Sequence, residues 1–162
     1  MSWPIIFTVP GVPVALGRHR VSIINGHAHM YDAPKSASYK GAVAMFAHHA
    51  MDGRPPLDCA VTMKILVLRT VPKSWSKKKQ AQALSGDIKP VSRPDVDNYT
   101  KAILDGIIGI VFHDDTQVTT LRVGKRYAEQ PSVIVTVEPD QEVINKEVLY
   151  GTQGCTEHHG SE

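Results

Sequence analysis

The stretch RPDVDNYTKAILD occupies residues 93–105, and HDDTQ follows it at residues 113–117. They contain five carboxylates, those of Asp95, Asp97, Asp105, Asp114 and Asp115, beside Asn98 and Lys101. Hard divalent cations such as Mg2+ prefer oxygen ligands of this kind and keep waters that can become nucleophiles. The two runs therefore predict a metal-dependent site that cleaves phosphodiester bonds.

Apolar residues recur every three or four positions in two segments, which predicts a helix at residues 36–50 and a second at 98–108. The packing side of the second helix is expected to consist of Tyr99, Ala102, Ile103, Gly106 and Ile107. Gly109 follows and can end this helix in a left-handed conformation. A shorter surface helix is predicted at residues 74–84, where Trp75 either anchors the helix or stacks on a base.

Four segments rich in apolar and β-branched residues predict strands at 5–9, 59–67, 118–127 and 132–138. Glu129, Gln130 and Pro131 separate the last two segments, so we expect them to form a β-hairpin. Residues 17–29 are rich in Gly, Asn and His and predict a mobile loop or another hairpin.

The first two acids lie at the start of the second helix. Asp95 and Asp97 are two residues apart and project to the same side if the chain is extended there. Asp97 also suits the N-cap position, where exposed backbone N–H groups stabilise its charge. The alternative is that Asp97 is only a cap. Lys101 and Asp105 lie one above the other on the helix, and this pair could be only a surface ion pair.

The acids at 114 and 115 follow the helix and precede a strand, so they reach Asp97 only if the chain folds back along the helix. The sequence leaves open whether this return occurs or whether Asp114 and Asp115 simply form a turn. His113 could orient a metal-bound water or be an exposed turn residue. The other histidines lack the spacing of a structural zinc site.

Charge is distributed unevenly along the chain. Residues 69–93 contain seven basic residues and one acid, a local net charge of +6, whereas residues 129–162 have a net charge of −6. A basic segment beside a carboxylate cluster suits a polyanion held by its phosphates, although it could equally be a solvated loop. The candidates for contact with DNA are Lys73, Lys77, Lys78, Lys79 and Arg93, together with Arg18 and Arg20 of the loop.

The length of 162 residues and the 42% hydrophobic content are typical of a single globular domain. No apolar run approaches the roughly 20 residues that span a bilayer, so no membrane association is expected. The first residues lack the pattern of a signal peptide, and Cys59 and Cys155 lie in unrelated contexts. These features predict a reduced, cytoplasmic setting.

With these motifs, the chain resembles the RusA family of Holliday-junction resolvases. The segments that carry the resemblance are residues 7–11, 72–76, 93–105 and 114–118. The similarity extends over most of residues 5–138 and includes the strand pair that ends near Glu138. We therefore expect a RusA-like domain at 1–138 and an acidic, partly disordered extension at 139–162.

The resemblance implies an α+β fold with a small mixed sheet of about four strands, two main helices packed on it, and a homodimer. It also implies an endonuclease that resolves four-way DNA junctions by paired nicks, uses Mg2+ or Mn2+ and leaves 5′-phosphate ends; such enzymes often occur in prophage regions. The catalytic and metal-binding aspartates of the family fall on Asp95, Asp97 and Asp115 rather than Asp114. Its important lysine falls on Lys101.

Two other functional classes remain open at this point. The protein could bind branched DNA without cleaving it, or it could be a metal-dependent phosphohydrolase that acts on nucleotides or small phosphate esters. The lysine-rich segment argues against so small a substrate. A cleavage assay in Mg2+ tests the first alternative, because a binding module would give no nicked product. Competition between a junction and free nucleotide tests the second.

Overall fold

The computed structural model describes residues 3–17, 20–31 and 33–140. These residues form a four-stranded sheet, a separate two-stranded hairpin and three α-helices. In chain order the elements are β1 (Ile5–Pro10), β2 (Arg20–Ile24), β3 (His27–Tyr31), α1 (Pro34–Met51), β4 (Val61–Thr70), α2 (Lys77–Leu84), α3 (Val96–Ile107), a 3-10 helix (Asp115–Gln117), β5 (Val118–Ala128) and β6 (Ser132–Pro139).

The sheet is mixed, with the strand order β1-β6-β4-β5. β4 and β5 are parallel, while β6 is antiparallel to both β1 and β4. Alternate residues of β1 and β6 are buried on the face that the helices cover, and β4 buries Val61, Met63, Ile65 and Val67 there. The prediction of a small mixed sheet with two main helices packed on it is confirmed.

The predicted hairpin between residues 118–127 and 132–138 is wrong, because β4 lies between β5 and β6. β4 buries Val61, Met63, Ile65 and Val67, so burial favours it in the centre of the sheet, whereas β5 carries Arg122, Lys125 and Arg126 and occupies an edge. The registers pair Thr70 with Ala128 and Leu68 with Ser132. The three-residue connection therefore passes over the end of β4.

Helices α1 and α3 pack against each other and contribute to one core with the sheet. All five residues expected on the packing side of α3 are buried. Gly106 is the point of closest approach, since a Cβ atom there would lie 2.7 Å from Val43 Cγ1 of α1. Burial, reinforced by the neighbouring Tyr99, raises the pKa of Tyr39 to about 12. Gly109 has a φ angle of +76°, as expected after the helix.

The segment predicted as a loop or a hairpin contains the β2–β3 hairpin, which turns at Asn25 and Gly26 with positive φ angles. Val21 and Ile23 of β2 are exposed. Arg18 and residues 141–162 lie outside the described residues, and so does most of the predicted acidic extension. No helix in the described part of the chain is long and apolar enough to cross a membrane.

Candidate active site

The N-terminus of α3 lies at the carboxyl ends of the two parallel strands. Lys125 of β5 donates hydrogen bonds from Nζ to the carbonyl oxygens of Ser92 and Pro94, both at 3.0 Å. Arg69 of β4 donates from Nη1 to the Ser92 carbonyl oxygen at 3.0 Å. The segment that leads into α3 therefore crosses this end of the sheet, and in open α/β sheets ligands bind outside this end.

The predicted N-cap is wrong by two residues. α3 begins at Val96, so Asp95 has the extended conformation of the N-cap and Asp97 lies in the first helical turn. The extended chain that would have placed Asp95 and Asp97 on the same side therefore ends at Asp95. Asp95 makes no side-chain capping hydrogen bond, which leaves its carboxylate available to other partners. Both carboxylates are solvent-exposed at the positive end of the helix dipole, which stabilises anionic groups.

Asp95 and Lys101 face an open cleft of about 660 Å³. The residues that line it are Leu16, Gly17, Arg93, Pro94, Asp95, Asn98 and Lys101. Asp97 borders the same group, since its Oδ2 lies 3.8 Å from Lys101 Nζ and the two side chains are 62% and 60% exposed. The far wall is tied to α3 by a hydrogen bond from the Leu16 amide to the Asn98 carbonyl oxygen, at 2.9 Å. The Asp95 carboxylate, the Asn98 side chain and two cations therefore line one accessible cleft, and Asp97 is joined to it through its ion pair with Lys101.

Asp105 does not take part in this group. Its Oδ2 lies 2.7 Å from Lys40 Nζ of α1, so it forms an interhelical ion pair rather than the intrahelical pair considered for Lys101 and Asp105. The partner of Lys101 is Asp97, one turn earlier on the same helix.

Asp114 is used structurally. Its Oδ1 accepts a hydrogen bond from the Thr116 amide at 2.9 Å, and it forms a reciprocal capping box with Gln117. The hydrogen bonds from Thr116 hold the pKa of Asp114 below its usual range. Asp115 is the first residue of the 3-10 helix and is exposed. Of the two acids, Asp115 is therefore the one that is not engaged in capping.

Within one chain, Asp115 lies at the opposite end of α3 from Asp95. The 3-10 helix leads directly into Val118, which pairs with Val61 at the start of β4, whereas Lys125, seven residues further along β5, contacts Pro94. At about 3.3 Å per strand residue, Asp115 is roughly 20 Å from the N-terminus of α3. Across the described ranges, no three His, Cys, Asp or Glu side chains gather as a group that could hold a metal.

Comparison with known proteins identifies the family of this chain. A sequence model described as "Endodeoxyribonuclease RusA" matches residues 10–138. The chain belongs to the RusA endodeoxyribonuclease family. The predicted resemblance to this family is thus confirmed, and with it the assignment as a DNA-cleaving enzyme. The "Uncharacterized protein YqaN" of Bacillus subtilis (strain 168) is 44% identical over 135 residues, which cover 81% of this chain and 93% of that protein.

In this RusA-family chain, four of the predicted basic residues lie on α2 or shortly before it, namely Lys73, Lys77, Lys78 and Lys79. Lys77, Lys78 and Lys79 form its first turn, all three are exposed, and the Ser76 hydroxyl caps the helix by accepting from the Lys79 amide. Trp75 anchors the helix, because its ring packs edge-on against Tyr127 of β5 with a centroid distance of 5.4 Å. Lys79 Nζ lies 4.0 Å from the centre of the Trp75 ring. The lysines of α2 are therefore attached to β5, the edge strand whose Lys125 also contacts the segment that lines the cleft.

Two residues with clear positioning contacts were not singled out from the sequence. Gln117 accepts from the His113 and Asp114 amides and donates to the carbonyl oxygens of Leu57 and Cys59, so it fixes the turn beside Asp115. Lys125 is the other. The sequence pattern could have indicated Lys125, because it alternates with Val123 and Tyr127 on the face of β5 that is expected to point to the core.

Proposed function

We propose that this protein is a Mg2+-dependent endonuclease that binds four-way DNA junctions as a homodimer and resolves them by paired nicks, leaving 5′-phosphate ends. The observation that carries the proposal is the open cleft at the N-terminus of α3, which is lined by Asp95, Lys101 and Arg93 and next to which Asp97 pairs with Lys101. Membership of the RusA family supports the junction as the substrate.

The side chains at this end of α3 suit a divalent cation. Mg2+ in phosphoryl-transfer sites is commonly held by one or two carboxylates together with waters and substrate phosphates, so Asp95 and Asp97 are sufficient as its protein ligands on one chain. Mn2+ accepts the same oxygen ligands. A bound cation would supply an activated water and offset the charge of the scissile phosphate. Lys101 contributes a point charge that orients that phosphate.

Asp115 joins this site most simply from a second subunit. It is separated from Asp95 of its own chain by roughly the length of α3, about 18 Å for 12 residues. In a homodimer with two-fold symmetry, the Asp115 end of one subunit can meet the Asp95 end of its partner, and symmetry then forms two such sites. Two sites related by a two-fold axis are also what paired, symmetric nicks require.

The DNA backbone is expected to follow the basic residues beside the cleft. Arg93 lines the cleft itself, and Lys73 and the three lysines of α2 are exposed on the segment that Trp75 attaches to Tyr127 of β5. These lysines and Arg93 are proposed to contact phosphates, and Arg18 and Arg20 are proposed to add further contacts. Each phosphate contact should contribute about 0.9 to the slope of log affinity against log salt concentration.

The substrate is tested by incubating the protein and Mg2+ with synthetic four-way, forked and linear DNA. We expect paired nicks in the four-way junction, with little cutting of the linear duplex and no cutting in EDTA. Binding of junctions without any nicked product would instead identify a non-cleaving binding module. Competition by free nucleotide at similar concentration would point to a phosphohydrolase of small substrates.

The origin of Asp115 is tested by mixing subunits. Asp97→Asn and Asp115→Asn should each be inactive, whereas heterodimers of the two contain one intact site, formed by Asp97 of one subunit and Asp115 of the other. With random subunit exchange, the mixture should recover about a quarter of the wild-type sites and make single rather than paired nicks. Co-expression with two different affinity tags gives pure heterodimers. If these remain inactive, Asp115 does not act across the dimer.

A further inference from the structure

The segment that precedes α3 is held by two cations from the parallel strands. Lys125 Nζ bonds to the carbonyl oxygens of Ser92 and Pro94, and Arg69 Nη1 bonds to the carbonyl oxygen and the hydroxyl of Ser92, at 3.0 and 3.1 Å. Ser92 and Pro94 lie outside the helices and the sheet, so their carbonyl oxygens have no hydrogen-bond donors from secondary structure. The two cations supply those donors.

Both cations lie on the face of the sheet that the helices cover. Lys125 pairs in register with Val67, which is fully buried, and Arg69 lies two residues beyond Val67 on the same side of β4. Each side chain is half-buried. A partly desolvated ammonium group is costly unless it is hydrogen-bonded, and two main-chain carbonyl oxygens satisfy Lys125 here.

The bonds of Lys125 act directly on the backbone of the cleft. Ser92 and Pro94 flank Arg93, and Pro94 is followed at once by Asp95. Because its carbonyl oxygen is held, the peptide plane between Pro94 and Asp95 has a defined orientation. The orientation of that plane fixes the backbone position from which the Asp95 side chain extends. The Asp95 carboxylate makes no capping hydrogen bond that would hold it in place.

We propose that Lys125, supported by Arg69, is a positioning residue of the nuclease site, which holds Asp95 in the place from which it binds the cation. This inference rests on the proposed function, in which Asp95 is a metal ligand. Lys125 touches neither the phosphate nor the cation; it acts through the Ser92 and Pro94 carbonyl oxygens.

The experiment compares Lys125→Met, which keeps the aliphatic stem, with Lys125→Arg, which restores a donor. Arg126→Met is the matched control, since it removes a positive charge from the next residue of β5, on the opposite face of the sheet. The first readout is amide hydrogen exchange of residues 99–102 in the metal-free protein, since these are the first hydrogen-bonded amides of α3 and that of Tyr99 donates to the Asp95 carbonyl oxygen. The second is single-turnover nicking of a four-way junction over a range of Mg2+ concentrations, and the third is the salt dependence of junction binding.

We expect Lys125→Met to speed exchange at residues 99–102, because the start of α3 is held less firmly, and to raise the half-saturating Mg2+ concentration about tenfold, as loss of outer-shell partners does in other metal sites. The salt slope of binding should stay unchanged, Lys125→Arg should recover most of the nicking rate, and Arg126→Met should behave like the wild type. A melting temperature for each variant separates these effects from global unfolding.

One combined result would overturn the proposal. Unchanged exchange at residues 99–102 in Lys125→Met, with a salt slope lower by about one phosphate contact, would make Lys125 a direct DNA contact. If Lys125→Met fails to fold, Lys125→Gln takes its place with the same readouts. The exchange measurement does not depend on cleavage, so a wild-type protein that fails to nick junctions would refute the proposed function and leave the role of Lys125 still measurable.

Discussion

Asp97→Asn should lower the rate of junction nicking by at least about 1000-fold, which corresponds to roughly 4 kcal/mol of transition-state stabilisation. The substitution keeps the size of the side chain and removes the charge that would hold the cation at the start of α3. Junction binding measured without metal should be equal or tighter, since one negative charge near the phosphates is lost. Single-turnover cleavage and gel-shift titration of the same four-way junction measure the two effects.

Asp105→Asn is the matched control for this experiment. It is the same chemical change on the same helix, in an exposed side chain that pairs with Lys40 rather than with the cleft. Nicking by this variant should stay within about threefold of the wild type, since exposed ion pairs contribute little. Asp97→Asn nicking at the wild-type rate would remove Asp97 from the catalytic site and with it the proposed metal ligation.

Gly106→Ala should lower the free energy of unfolding by about 2 kcal/mol. The added Cβ would lie 2.7 Å from Cγ1 and 2.9 Å from Cβ of Val43, and 3.2 Å from the Lys40 carbonyl oxygen. Val43 is fully buried, so α1 and α3 must separate to make room. This overpacking outweighs the gain of about 1 kcal/mol from replacing glycine inside a helix. Thermal or urea unfolding followed by circular dichroism measures the change.

Gly41→Ala is expected to change the free energy of unfolding in the opposite direction. Gly41 lies in α1, and no atom lies within 4 Å of the position its Cβ would take. The substitution should therefore stabilise the protein by about 0.5–1 kcal/mol through helix propensity alone. If Gly106→Ala were as stable as the wild type, the close packing of α1 against α3 would not be required for stability.

Local patterns in the sequence predicted the helices well. The apolar stripe of Tyr99, Ala102, Ile103 and Ile107 is buried as expected, and α1 extends the predicted 36–50 segment by only a few residues. Helices form from contacts between residues three or four apart, so the stripe and its position are properties of one segment. The mixed sheet was expected from the resemblance to the RusA family, and the structure confirms it.

Contacts between distant segments were harder to predict. The short link between β5 and β6 favoured a hairpin, but the apolar β4 competes for the central position and separates them. Asp105 pairs with Lys40 because α1 crosses α3 there, which no periodicity within α3 indicates. The N-cap differed by two residues because the start of a helix depends on backbone angles that several nearby polar residues can adopt.

The sequence by itself determined which chemical groups stand close together along the chain: Asp95, Asp97 and Lys101 meet because they share one helical start. Only the tertiary structure decided that Lys125 and Arg69 reach the segment before that helix and that Asp115 lies at its other end. The physical reason is that neighbours within a helix are set by its 1.5 Å rise per residue, whereas neighbours between elements are set by which strands bury the most apolar surface together.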